Sequence, residues 1–170
     1  MYYETNYPSP VGLITLASDG TNLVGLWLEG QKYYGGTIAG IMAKKDNLAV
    51  FDATKKWLDK YFNGGNPAIC QLPLAPIGGK FRQDVWKILC EIPYGEVTTY
   101  GDIAKKMAVK MNLSSMSAQA VGGAVGHNPI SIIIPCHRVI GAKGSLTGYA
   151  GGIFVKSTLL KLEGADTLLN

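Results

Sequence analysis

Cysteine and long apolar runs are both scarce in this chain of 170 residues. Its three cysteines, Cys70, Cys90 and Cys136, are an odd set with no short repeated spacing, which argues against a disulfide framework and against a zinc site. No apolar run approaches the ~20 residues that span a bilayer. Residues 1–4 contain no basic segment, and no apolar stretch follows them. We therefore expect a globular protein of the cytoplasm.

The chain does have enough apolar material for a core. Hydrophobic residues make up 47% of it, which suits one core or two small ones that share an interface. The formal net charge is +4, with seven lysines against six acidic residues in 1–80 and nine basic against six acidic residues in 81–170. This mild excess permits a polyanionic partner, but many proteins without one are equally basic. The net charge alone therefore does not show whether the chain has a polyanionic partner.

The first half of the chain predicts a small sheet and a helix. Residues 11–17 and 22–28 are β-rich runs, and the Asp-Gly between them suits a tight reversal. From Asn47 to Phe62 apolar residues recur at helical spacing, and Gly64 follows where a positive φ is tolerated. We predict a β-hairpin followed by an amphipathic helix.

A stretch rich in proline and glycine then interrupts both periodicities. Two prolines and two glycines lie within residues 71–80, a composition typical of a linker. We predict an N-terminal domain over residues 1–72, a linker over 73–80 and a C-terminal domain over 81–170.

The second half is predicted to be mainly helical. Apolar spacing predicts a helix that begins at residue 81 and ends before Pro93. Thr99 and Ser117 can cap two further helices, over about 100–107 and 118–126. Two short helices joined by an irregular turn predict a helix-turn-helix.

The last of these helices contains Gly122-Gly123. Two adjacent glycines cost roughly 2 kcal/mol of helix propensity relative to alanines, so another factor must favour them. One interpretation is close packing of helices inside the protein. The other is a helix face that lies against a partner's backbone.

Cys136 lies in the segment whose residue types are best suited to catalysis. Residues 131–134 predict a buried strand that would hold the following Pro-Cys-His-Arg rigidly. A cysteine is most often simply a buried apolar residue. Cys136 differs because His137 and Arg138 adjoin it, and a thiol is nucleophilic at neutral pH only as thiolate, beside a positive or proton-accepting group.

A strand would point His137 to the opposite face from Cys136, so pairing would need a turn or a bridging water. Glu163, in the last predicted helix, is one candidate carboxylate to fix the imidazole tautomer. Cys70 and Cys90 have no such neighbours and are interpreted as structural. These residues predict a Cys-His-Glu site.

Several motifs around Cys136 are specific in order and spacing: Ala-Val-Gly-Gly-Ala at 120–124, Asn128-Pro129, and Pro-Cys-His-Arg-Val at 135–139. Together they resemble the recognition helix, hinge and active-site motif of the O6-alkylguanine-DNA alkyltransferases. The resemblance covers residues 81–164, and the earlier residues are only loosely similar to the family's first domain. It implies an α+β fold, in which a small ribonuclease-H-like sheet with a helix precedes a helical, winged-helix-like domain.

The resemblance also implies a reaction, the direct reversal of DNA alkylation. Cys136 would attack the alkyl carbon of O6-alkylguanine and keep the alkyl group in a single turnover. His137 would act as base through a water, Glu163 would orient it, and Tyr100 would protonate the departing guanine at N3. No metal or organic cofactor is implied. The residues implied to hold the base are Asn128, also the hinge, Val139 through its carbonyl, Tyr149, and Ala150 through its amide.

The implied partner is double-stranded DNA, bound through its minor groove by a monomeric protein. The O6 atom is buried in the duplex, so the damaged base must leave the stack, and extrusion costs least for a weakened pair. Paired glycines would let the helix backbone approach the DNA closely. O4-alkylthymine is a second candidate lesion. The residues implied to contact DNA are Arg82, Thr99, Gln119, Ala120, Gly122 and Gly123.

Gln119 departs from the family, which often has an arginine there to fill the gap left by the extruded base. Glutamine brings no charge and stacks less well than a guanidinium, which predicts weaker capture of DNA. The turn between the two short helices, residues 108–116, is also longer than the resemblance leads us to expect.

Two other functions stay open at this point. A non-catalytic, alkyltransferase-like protein that binds DNA lesions would share the fold, but such proteins replace the cysteine that is present here as Cys136. A cysteine hydrolase would need an oxyanion hole and gives no reason for a helix-turn-helix.

Overall fold

The computed structural model describes residues 1–36, 38, 40–146 and 148–168. Its contacts divide the chain into two compact units: the first comprises Met1–Ile77 with Pro129–Ile133, and the second comprises Gly78–Asn128 with the chain from Ile134 onward. The division after Ile77 lies within the predicted linker 73–80. The short segment Pro129–Ile133 differs from the predicted boundaries, because it groups with the first unit.

The first unit is built on a four-stranded sheet of order β3-β2-β1-β4. Antiparallel pairing joins β1 to β2 and β2 to β3, whereas β4 runs parallel to β1. The predicted hairpin is confirmed as β2 and β3, while β1 was not predicted. The strands are β1 (Tyr3–Ser9), β2 (Gly12–Ser18), β3 (Leu23–Leu28) and β4 (Ala43–Lys44).

The predicted amphipathic helix is confirmed as α1 (Ala49–Phe62). Its buried side chains recur at the three- and four-residue spacing that gives a helix one apolar face. Gly64 follows the helix at φ +87°, a conformation that glycine adopts without steric cost. The buried residues are Val50, Phe51, Thr54, Trp57, Leu58 and Tyr61.

Two segments from elsewhere in the chain pair with β3. Leu23 donates to the Pro73 carbonyl at 2.8 Å, so the first residues of the predicted linker belong to the sheet. Leu26 donates to the Pro129 carbonyl at 2.9 Å and accepts from the Ser131 amide at 3.1 Å. These bonds explain why Pro129–Ile133 groups with the first unit.

The predicted strand over residues 131–134 is wrong. Residues 131–133 form a turn in which Ile132 has φ +72°, and the Ile133 amide donates to the Ser131 carbonyl at 2.8 Å. All of these residues are buried. Because a run of buried apolar residues has the same signature in a strand and in an irregular segment, periodicity alone could not separate the two.

The second unit is helical, and its predicted helix-turn-helix is confirmed. Thr99 Oγ1 accepts from the Asp102 amide at 3.1 Å, and Ser117 Oγ accepts from the Gln119 amide at 3.1 Å. The Trp86 indole donates to the Ala124 carbonyl at 2.9 Å. The elements are α2 (Lys80–Cys90), β5 (Thr98–Thr99), α3 (Tyr100–Lys110), α4 (Ala118–Gly126), β6 (Val139–Ile140) and α5 (Ile153–Leu162). Within the described residues, no helix is long and apolar enough to cross a membrane.

Candidate active site

Cys136 begins a single 3-10 turn, Cys136–Arg138, and its side chain is buried with 5% of its surface exposed. Burial raises the pKa of the thiol, while a hydrogen bond from the Asn128 side chain and the positive charge of Lys156 act in the opposite direction. The same Asn128 amide donates to the Ile134 carbonyl at 2.8 Å. Asn128 therefore ties the end of α4 to the residues just before the cysteine.

The 3-10 turn corrects the expected geometry of the residues after Cys136. A strand would alternate His137 and Arg138 between two faces, whereas in the turn both side chains contact one carboxylate, Glu163. Nε2 of His137 donates to Oε2 of Glu163 at 2.6 Å, and Nε of Arg138 donates to Oε1 at 2.8 Å. The predicted His137–Glu163 pairing is thus present in the structure.

Glu163 lies at the C-terminal end of α5 and is the acceptor that His137 and Arg138 share. Burial by itself would raise the pKa of Glu163, but the hydrogen bonds and charges of His137 and Arg138 outweigh it and bring the pKa to about 2. The Gly95 amide adds a hydrogen bond to Oε1 at 3.3 Å. The carboxylate is therefore ionised throughout the neutral range.

His137 is fully buried. Burial lowers the pKa of the imidazole, and the contact with Glu163 offsets only part of that shift. The ring is accordingly neutral at neutral pH. Because its Nε2–H is directed at the carboxylate, the lone pair of the ring lies on Nδ1, and this is the tautomer that can accept a proton there.

The positive charge beside the sulfur comes from Lys156, not from the adjacent Arg138. Arg138 directs its guanidinium to Glu163 and to the Ile92 carbonyl, at 2.7 Å. Lys156 is fully buried on α5 and donates to the Val139 carbonyl. Burial lowers the pKa of Lys156 to about 8, and Cys136 acts against this shift.

Tyr100, the first residue of α3, lies near the same sulfur. Burial, with a smaller contribution from Cys136, raises the pKa of its phenol to about 12, so the phenol keeps its proton at neutral pH. The Lys156 ammonium lies 5.9 Å from the centroid of the ring. A Cβ built on Gly122 of α4 would lie 3.8 Å from Cδ1 of Tyr100.

The two glycines of α4 have different surroundings. Gly122 is half-buried and faces Tyr100, whereas a Cβ on Gly123 would have nothing within 4 Å. Gln119 and Ala120 are exposed on the first turn of the helix. A Cβ on Gly122 would make only ordinary van der Waals contact with Tyr100, so internal packing does not by itself require glycine there, and Gly123 lies on an open helix face.

The other predicted site residues lie in the same unit. Tyr149 is buried, Ala150 is half-buried in the following turn, and Arg82 and Thr99 are half-buried. The backbone of Val139, in β6, pairs with Thr98 of β5.

Sequence reasoning missed the role of Lys156. Its signal was available, because Lys156 precedes Leu159 and Leu160 by three and four residues and so shares their buried helix face. A lysine at such a position is unusual enough to mark a functional site.

The site combines a buried cysteine, an adjacent histidine that is ion-paired, and a helix-turn-helix in the same unit. This combination defines the class as DNA-binding proteins with a cysteine in the active site. Two sequence-family models agree with that class. The 6-O-methylguanine DNA methyltransferase DNA-binding domain matches residues 80–165, and the ribonuclease-like domain of the same name matches residues 1–76. The chain belongs to the 6-O-methylguanine DNA methyltransferase family.

Relatives cover nearly the whole chain. The methylated-DNA–protein-cysteine methyltransferase of Haemophilus influenzae is 43% identical over 95% of this chain and 86% of its own length. That of Methanosarcina acetivorans is 43% identical over 97% of this chain and 99% of its own. A crystal structure of the Mycobacterium tuberculosis protein in complex with DNA is 41% identical, with a TM-score of 0.81, over 96% of this chain and 92% of that one.

Proposed function

We propose that this protein repairs DNA by direct reversal, moving the alkyl group of O6-alkylguanine irreversibly onto the sulfur of Cys136. The observation that carries the proposal is a buried cysteine next to a histidine whose Nε2 lies 2.6 Å from Oε2 of Glu163. This hydrogen bond leaves Nδ1 of the imidazole as the basic nitrogen. A cysteine with ionised groups around it is typical of a nucleophile, whereas a cysteine with a structural role needs no such neighbours. The catalytic function is favoured over the non-catalytic, lesion-binding alternative.

In the proposed step, the sulfur attacks the alkyl carbon, a sulfur–carbon bond forms, and the bond from carbon to O6 breaks. The thiol proton passes through a water to Nδ1 of His137. Glu163 stabilises the imidazolium that results, as a carboxylate does in other nucleophile–histidine sites. Because the thioether cannot revert, each chain acts once.

The electron pair of the broken bond goes to guanine, and Tyr100 supplies a proton to N3 so that the base leaves neutral. A phenol with a pKa of about 12 is protonated at neutral pH and so has a proton to donate. Its location near Cys136 supports this assignment.

We propose that the base is held by the backbone of Val139 and Ala150, with Tyr149 beside it, and that Asn128 fixes the cysteine segment. The contact between Lys156 and the Val139 carbonyl supports the first part, because it fixes the direction of that carbonyl. A carbonyl oxygen has two lone pairs, so the second can accept from the guanine edge.

The partner of the protein is DNA. We propose that α4 enters the minor groove, that the lesion is O6-alkylguanine extruded from the stack, and that the protein acts as a monomer within the cytoplasm. The exposed Gln119, Ala120 and Gly123 support α4 as the inserted helix. Gly122 is half-buried on the same helix, on the side of Tyr100. Arg82 and Thr99 would contact the DNA backbone. By this account residues 81–170 form the DNA-binding and alkyl-acceptor domain and 1–72 a structural one.

A titration of alkyl transfer against protein tests this function. DNA containing O6-methylguanine with a labelled methyl group is incubated in excess with known amounts of the chain. We expect the label on protein to saturate at one methyl per chain. No transfer would indicate a lesion-binding protein, and release of label over many turnovers would indicate a hydrolase.

A further inference from the structure

The hydroxyl of Tyr100 lies against a glycine of the loop that precedes α5. A Cβ built on Gly148 would lie 3.3 Å from the Tyr100 Oη, and, among the described residues other than its chain neighbours, no other heavy atom lies within 4 Å of it. A contact of that length is closer than methyl groups normally tolerate. A side chain at position 148 would therefore act on one atom, the hydroxyl oxygen of Tyr100.

The ring of Tyr100 has further neighbours on α4 and α5. A Cβ on Gly122 of α4 would make ordinary van der Waals contact with its Cδ1, at 3.8 Å, and the Lys156 ammonium of α5 lies 5.9 Å from its centroid. Only the approach from Gly148 is closer than ordinary contact. A methyl group on the loop side would displace the hydroxyl relative to the sulfur of Cys136.

We infer that Gly148 is a positioning residue, whose missing side chain fixes where the Tyr100 hydroxyl lies. The inference rests on the proposed role of Tyr100 as proton donor to guanine N3. A Cβ at position 148 would meet neither the thiol of Cys136 nor the imidazole of His137 within 4 Å, so it would act only through Tyr100. Since proton transfer needs the donor within hydrogen-bond reach of its acceptor, a shift of a few tenths of an ångström would slow the reaction.

A double-mutant cycle tests the inference. Gly148→Ala and Tyr100→Phe are made singly and together, and the single-turnover rate of methyl transfer is measured for all four proteins. We expect Gly148→Ala to slow transfer about tenfold in the wild-type background, a displacement effect, and less than about twofold in Tyr100→Phe, where the hydroxyl is absent. Equal losses in both backgrounds would overturn the inference.

Gly148 has φ +75°, so alanine is strained there whatever its neighbours are. Gly64→Ala is the matched control, because Gly64 has φ +87° and a Cβ on it would meet nothing within 4 Å. We expect it to leave the transfer rate unchanged. A slowing by Gly64→Ala comparable to that by Gly148→Ala would attribute the effect to backbone strain and contradict the inference.

The four proteins are also compared by unfolding in urea, which does not depend on activity. Removing the hydroxyl should relieve the contact, so Gly148→Ala should lower the midpoint less in Tyr100→Phe than in wild type. If Gly148→Ala alone fails to fold, recovery of folding in the double variant supports the inference and its absence contradicts it. If Tyr100→Phe by itself leaves transfer unchanged, the proposed role of Tyr100 fails, which is a separate result.

Discussion

The two units of this molecule bury different kinds of polar residue. Among the described residues, every buried polar side chain of the first unit is uncharged, whereas the second unit buries five side chains of the acidic, basic or histidine type in addition to Cys136. The first set is Thr5, Thr15, Ser18, Gln31, Thr54 and Ser131, and the second is Asp84, His137, Arg138, Lys156 and Glu163, with the uncharged Asn128.

The difference shows where the chain accepts an energetic cost. Taking an ion out of water costs several kcal/mol even after relaxation, and pairing often does no more than offset that cost. The first unit, for which we propose a structural role, has no charged side chain among its described buried residues. The second unit keeps charge in its interior because the proposed chemistry needs an ionised carboxylate, a neutral imidazole and a cation near one sulfur.

The largest effect is expected from breaking the buried group at its centre. Glu163→Gln removes the negative charge that pairs with both His137 and Arg138, so the buried guanidinium of Arg138 loses this ion pair. We expect the free energy of unfolding to fall by about 3–5 kcal/mol and methyl transfer to slow by about 100-fold. Urea unfolding and single-turnover kinetics measure the two effects.

Asp84 provides the matched comparison for that variant, because it also pairs with two cations but through exposed lysines. Its carboxylate lies 3.0 Å from Lys80 and 3.2 Å from Lys110, whose side chains are 86% and 43% exposed. Asp84→Asn should therefore cost less stability than Glu163→Gln and leave transfer unchanged. Equal losses of stability would contradict the distinction between buried and exposed pairing.

Low pH should lower the stability of the fold by protonating the carboxylate of Glu163. The folded-state pKa of Glu163 is about 2, below its ordinary value of 4.5. Its contribution to stability is therefore complete above pH 4.5 and is lost as the pH falls from there towards 2. We expect unfolding midpoints in urea to decline over this range in wild type and to decline less in Glu163→Gln. Parallel declines would contradict the account.

A smaller effect is expected on the exposed face of α4. Gln119→Arg places a charge on the exposed first turn of α4, where the family resemblance led us to expect an arginine. We expect about two- to fivefold tighter binding to DNA, the size of an exposed cation–π or ionic contact. Binding is measured by fluorescence anisotropy at fixed salt. Ser115→Arg adds the same charge on the exposed turn before α4, and equal tightening by both would assign the effect to charge alone. Unchanged affinity in Gln119→Arg would count against the hypothesis.

The smallest effect is expected in the first unit. Thr54 is fully buried, and its hydroxyl donates to the Val50 carbonyl at 2.7 Å. Thr54→Val loses one neutral hydrogen bond, so we expect the free energy of unfolding to fall by about 1 kcal/mol or less, with transfer unchanged. A loss as large as that in Glu163→Gln would remove the contrast between the units.

Sequence patterns predicted the elements whose signals are local. The caps at Thr99 and Ser117 and the spacing of α1 depend on neighbours within a few residues. Strand β1 was missed because its sequence, Tyr-Glu-Thr-Asn-Tyr-Pro-Ser, is mostly polar and contains Pro8. Its pairing with both β2 and β4 gives it a place inside the sheet.

The candidate site was predicted where a motif carried it and missed where only the fold could reveal it. The pairing of His137 with Glu163 was predicted, but the only candidates named for a positive or proton-accepting group beside the sulfur were His137 and Arg138. The 3-10 turn directs Arg138 to Glu163 and leaves Lys156 in that role. Adjacency in sequence could not show the direction of either side chain.

Intact mass after incubation with DNA containing O6-methylguanine measures directly whether Cys136 accepts the alkyl group. We expect the whole population to gain the mass of one methyl group, peptide mapping to assign it to Cys136, and Cys136→Ala to abolish the gain. No gain of mass, or a methyl group on the exposed Cys70 or on Cys90, would contradict this role of Cys136.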